Sequence, residues 1–91
     1  MFRITERRSH DRVVLKLEGR LCPTCVKELD ACWQRAMETA AANSIWVDLS
    51  DVQFVDIVGQ QQLIRMHRAG VRFLTRGVVM GELVREISEA C

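Results

Sequence analysis

Tyrosine is missing from these 91 residues and proline occurs once. No Ser/Gly/Pro-rich stretch marks a linker, and neither a low-complexity tract nor an internal repeat interrupts the chain, so a single domain spanning 1–91 is expected. Excess charge of either sign is missing too, the net charge being +1. A nucleic-acid partner calls for a basic face. Here Arg7 and Arg8 are flanked by Glu6 and Asp11, and the other arginines are scattered among acids, so no nucleic-acid binding is expected. No apolar run approaches the ~20 residues of a membrane span, which argues against direct membrane insertion. The opening Met1-Phe2-Arg3-Ile4-Thr5 contains no apolar core of a signal peptide. A cytoplasmic location is therefore expected, with the four cysteines reduced. There is no Walker-type glycine loop, no Gly-x-Ser-x-Gly elbow and no His-Glu-x-x-His. Neither an enzyme nor a cofactor is expected on that ground.

What is present is periodicity. Phe2 to Arg7 places Phe2 and Ile4 on one face of a short strand, and Ser9-His10-Asp11 reads as a polar turn. From Arg12 to Leu21, Val13, Leu15 and Leu17 alternate with Val14, Lys16 and Glu18, the pattern of a strand with one buried face. Pro23 suits a first helical position, and Val26, Leu29, Trp33, Ala36, Met37 and Ala40 recur at helical spacing up to about Ala41. Ile45 to Leu49 reads as a compact central strand, Ser50-Asp51 as a turn, and Val52 to Val55 as a short extended piece. Asp56 is placed to cap a helix over Ile57 to Ala69, which Gly70 stops. A strand over Val71 to Leu74 and a last helix from Val78 or Gly81 to Ala90 complete the chain. The order ββαβαβα predicts an α/β fold: a mixed four-stranded sheet packed by three helices, parallel except for the opening hairpin.

The segment from Ile45 to Gly59 resembles the signature of STAS domains, the family of the bacterial anti-sigma factor antagonists. Asp48-Leu49-Ser50, Phe54-Val55-Asp56 and Gly59 match its pattern, as does Leu17-Glu18-Gly19-Arg20-Leu21 for the strand that feeds the first helix. The resemblance implies a signalling domain in transcription regulation, whose partner is an anti-sigma kinase-like protein or, for regulatory STAS subunits, an ABC transporter ATPase. A homodimeric structural subunit is a further reading. In the family a serine just after the aspartate is phosphorylated, adding about −1.5 to −2 charges. Here Ile57 and Val58 follow Asp56 and carry no hydroxyl, which departs from that switch. The docking surface implied is Asp56, Ile57, Val58, Gly59, Gln60 and Gln61, with Gln62 beside them. Two apolar residues opening a helix equally suit packing on the core.

Cys22-Pro23-Thr24-Cys25 is a C-x-x-C between a strand and a helix. Helix N-termini favour a thiolate, so a small thiol–disulfide redox protein or redox sensor, with Cys22 as nucleophile and Cys25 as resolving thiol, is the alternative function. A thioredoxin-like fold would want a second proline facing the pair. Cys32 would supply a third zinc ligand, but no fourth stands at a suitable spacing, and no metal is expected. Asp48, Asp51 and Asp56 read as turn and cap residues in preference to a cation site.

Overall fold

The computed structural model describes residues 2–75 and residue 85. Phe2–Arg8 (β1) pairs antiparallel with Val13–Leu21 (β2), giving the expected hairpin. The Ser9 N–H and hydroxyl both donate to the Arg12 carbonyl, at 2.9 and 3.3 Å, and close its turn. Pro23–Met37 (α1) follows. It stops four residues short of the expected Ala41, although alanine favours a helix. The carbonyl of Ala36 accepts from both Thr39 and Ala40 N–H, tightening the last turn. Arg8, from β1, donates to Thr39 Oγ1 at 2.7 Å. A short 3-10 turn over Ala42–Ser44 then leads the chain back to the sheet.

Ile45–Val55 (β3) is one continuous strand, parallel to β2, and the turn expected at Ser50-Asp51 does not occur. The register explains why. Lys16 faces Asp48 and Glu18 faces Asp51, so β3 advances three residues while β2 advances two; between Gly19↔Val52 and Arg20↔Phe54 it advances two against one. Each step is a bulge that adds one residue to β3. The inward positions of β3 thereby become Ile45, Val47, Leu49, Val52 and Val55, all buried. Strict alternation would have turned Asp51 and Gln53 inward; instead both are exposed. Gly19 lies at the second bulge with φ +96°, a conformation only glycine adopts without strain.

Ile57–Ala69 (α2) ends at Gly70, which is left-handed at φ +110°, and the Gly70 and Val71 N–H groups bond back to His67 and Met66 carbonyls. Arg72–Leu74 (β4) pairs parallel with β3. The sheet order is β1-β2-β3-β4. Because the strands advance in one direction, right-handed crossovers put α1 and α2 on the same face. Leu29, Trp33 and Ala36 of α1 and Leu63 and Met66 of α2 close the core over Leu15, Leu17, Leu21 and their β3 partners. The two helices are tied by Asp30, which accepts from Gln62 Nε2 and from Arg65, each at 3.1 Å. On the opposite face Trp46 lies between the guanidinium groups of Arg12 and Arg72, at 5.8 and 5.6 Å. The helix expected over 78–90 lies outside the described residues. Among those described there are two α-helices, and neither is long and apolar enough to cross a membrane.

The bulges turn Val52 inward and Gln53 outward, the reverse of what strict alternation from Ile45 would give. Val52→Ser should therefore cost about 2 kcal/mol in urea unfolding, the scale of one lost core side chain. Gln53→Ser should stay within about 0.5 kcal/mol, as surface substitutions do. Equal stability of the two variants would refute a role for the bulge.

Candidate functional site

The parallel pairing of β2 with β3 ends at Leu21↔Val55, and each strand runs directly into a helix. The N-caps of the two helices, Cys22 and Asp56, are therefore neighbours at one edge of the molecule. The Asp56 N–H donates to the Leu21 carbonyl at 3.3 Å, binding the two junctions together. Asp56 Oδ1 accepts from the Gly59 N–H at 2.7 Å, the cap expected from the sequence. Gly59 is buried, and a Cβ there would stand 2.9 Å from Val55 Cγ1 and 3.1 Å from Leu21. Only hydrogen at this position lets α2 lie against the two strand ends.

That close approach leaves the first residues of α2 standing clear of the core. Ile57 is 66% exposed, Val58 39% and Phe54, just before them, 49%. The Arg20 guanidinium sits 5.5 Å from the Phe54 ring centre. Packing of Ile57 and Val58 on the core, left open by the sequence, is thus not what holds them. Gln60 is half-buried and Gln61 exposed. Gly59 can contribute backbone alone to a docking surface. Gln62 is 2% exposed and belongs to the contact between the helices, not to the surface. The signal for it in sequence was spacing: Gly59, Gln62, Leu63 and Met66 fall at i, i+3, i+4 and i+7, the buried stripe of a helix, and the polarity of glutamine masked it.

Cys22 caps α1 differently. Its side chain makes no capping hydrogen bond to the backbone, and the first turn has no acidic residue. Its sulfur instead lies 3.3 Å from Thr24 Oγ1. A hydrogen bond from the Cys25 thiol, followed by that from Thr24, lowers the Cys22 pKa from the ordinary 9.0 to about 7. Burial and the bond to Cys22 raise that of Cys25. Cys32 lies further along α1, with Arg35 donating to its sulfur at 3.4 Å. Among the described residues no group of three or more His, Cys, Asp or Glu is placed to hold a metal. Asp51 pairs with Lys16 at 3.1 Å, and Asp48 accepts from the Ser50 N–H at 2.9 Å. The acids expected to order a turn thus order a bulge.

Two substitutions check this construction. Asp56→Ala should cost about 1 kcal/mol in thermal or urea unfolding, the usual value of an N-cap. Gly59→Ala inside an ordinary helix would gain up to about 1 kcal/mol, but here it should lose about 1–3 kcal/mol through overpacking against Val55 and Leu21. A stabilised Gly59→Ala variant would show that the approach is not tight.

No family model matches the chain, and no curated protein matches it. Solved structures do. An anti-sigma factor antagonist from Mycobacterium paratuberculosis superposes with a TM-score of 0.79 over 99% of this chain and 82% of its own, at 14% identity. The unphosphorylated form of the anti-sigma factor antagonist SpoIIAA gives 0.71 over 93% and 82%, at 17% identity. Mglu gives 0.60 at 20% identity over 81% of this chain, which spans only 19% of Mglu. The chain therefore has the fold of the anti-sigma factor antagonists, the STAS architecture that its Asp-Leu-Ser and Asp-x-x-Gly spacing implied.

Proposed function

We propose that this chain is a non-enzymatic protein-interaction domain of the anti-sigma factor antagonist or regulatory STAS kind, docking through the start of α2 without a phosphorylation switch. The observation that carries the reading is the exposure of Phe54, Ile57 and Val58 at one strand–helix junction. Leaving Ile57 in water forgoes about 1.5–3 kcal/mol that burial would supply, and a protein partner recovers it. Asp56 and Gly59 hold the junction in place, while Ile57, Val58, Gln60 and Gln61 make the contacts. The residues from Ile57 to Gln61 include no hydroxyl, so a kinase partner has no phosphate acceptor there and docking is constitutive. Such a domain acts in bacterial transcription regulation or signalling in the cytoplasm. Its partner is an anti-sigma kinase-like protein or an ABC transporter ATPase.

The test is affinity capture from native lysate by the tagged chain, beside Val58→Asp and Gln61→Arg. A stoichiometric kinase-like or ABC ATPase partner should be retained by the parent chain. Each variant should bind it at least about tenfold more weakly, since about 1.4 kcal/mol is a factor of ten, with unchanged thermal unfolding. Undiminished binding by both folded variants would remove this surface. Light scattering of the free chain beside Val58→Asp tests the homodimer: a dimer that Val58→Asp converts to monomer would use the same face.

A further inference from the structure

The docking reading leaves the Cys22–Cys25 pair without a role, yet its placement is specific. At two adjacent strand ends the chain uses two different caps. Asp56 does what a capping residue ordinarily does and bonds the backbone of α2. Cys22, at the matching position of α1, makes no such bond. The Cys25 and Val26 N–H groups bond the Cys22 carbonyl at 3.0 and 3.1 Å, so a full turn separates the two thiols. One helical turn puts Cα atoms three residues apart at about 5 Å, inside the range of about 4.4–6.8 Å that a disulfide requires. Both thiols are partly accessible, and Thr24 Oγ1 lies 3.3 Å from the Cys22 sulfur. Cys32 lies seven residues beyond Cys25, paired with Arg35, and takes no part.

We propose that Cys22 and Cys25 are a thiol–disulfide exchange site that reduces a low-molecular-weight disulfide of the glutathione type and closes into an intramolecular disulfide. The Cys22 thiolate attacks one sulfur of the disulfide, forming a mixed disulfide and releasing the first thiolate, which takes up a proton from water. The Cys25 thiol then gives up its proton to solvent and its sulfur attacks Cys22 Sγ. The second thiolate leaves and is protonated. Two protein thiols and one disulfide become one protein disulfide and two small thiols, with two electrons passing to the small molecule. The roles are fixed by position: Cys22 precedes the helix and meets solvent first, while Cys25 lies within the first turn, against the core. This inference stands apart from the docking surface and does not depend on it.

The reactivity is set by two opposing effects. With a pKa of about 7, half of Cys22 is thiolate at pH 7, about fifty times the fraction of a thiol at the ordinary 9.0. Its intrinsic nucleophilicity is about tenfold lower, since that falls by about half a logarithm per pKa unit. The net advantage is about fivefold.

Trypsin should release Leu21–Lys27, which holds Cys22 and Cys25 and neither of the other two cysteines. The full chain is equilibrated in glutathione redox buffers, quenched with acid, alkylated and digested. The expected result is a Leu21–Lys27 peptide lighter by two hydrogens, while Cys32 and Cys91 remain alkylated. Cys25→Ser should accumulate a glutathione adduct on Cys22, and Cys22→Ser should form neither adduct nor disulfide at Cys25. In the parent chain, alkylation of Cys22 should rise with a midpoint near pH 7 and outpace a free thiol about fivefold at that pH. A peptide that stays fully alkylated until the chain is denatured overturns the proposal, as does glutathione spread equally over all four cysteines. The measurements on the parent chain stand even if a variant does not fold.

Discussion

Nine residues of β2 must match eleven of β3, and the molecule is arranged around that mismatch. β2 alternates without interruption, so its inward face is a fixed ruler of Val13, Leu15, Leu17, Gly19 and Leu21. β3 meets it only by setting aside one residue at each of two bulges. Side-chain alternation has a period of two, so a single uncompensated extra residue would exchange the two faces. Two bulges return β3 to phase at Val55, opposite Leu21. Both strands then deliver their helices at the same level, which makes the two N-caps neighbours.

That shared edge mixes two chemistries without a conflict between them. The polar groups are local and satisfied: Asp56 with Gly59, and Asp56 N–H with Leu21. The apolar groups are those that satisfaction of the backbone leaves outside. Domains of this size are stable by about 5–15 kcal/mol, and one exposed isoleucine withholds a noticeable share of that margin. The fold tolerates it because Leu21, Val55 and Leu63 beneath are fully or nearly fully buried. The thiol cap makes a parallel trade at α1. It gives up a conventional N-cap, worth about 1 kcal/mol, and places sulfur where a helix N-terminus favours negative charge.

Much of this was legible in sequence because it is local. The hairpin, the start of α1 at Pro23, the Asp56 cap and the Gly70 stop each rest on one or two residues whose backbone chemistry leaves little choice. The STAS architecture was legible through Asp48-Leu49-Ser50 and Asp56-x-x-Gly59, although no family model matches the chain. What was not legible depends on a partner strand or helix. Ser50-Asp51 breaks the alternation and reads as a turn; only the opposing β2 shows that it is a bulge. The end of α1 is decided by the return path to β3 and by Arg8 reaching Thr39. Gln62 reads as surface until Asp30 of the neighbouring helix is seen to receive it.

The order of strands in the sheet is also the order in the chain. During synthesis, chain emerges from the ribosome at about 5–20 residues per second, while a hairpin forms in about 1–10 μs. β1 and β2 can therefore pair long before β3 exists, and each later strand meets a finished edge to add to. No strand has to be inserted between two others already paired. A nascent chain of this topology grows by accretion on one side only: the outer edge of β1 stays open throughout, while the growing edge passes from β2 to β3 and then to β4.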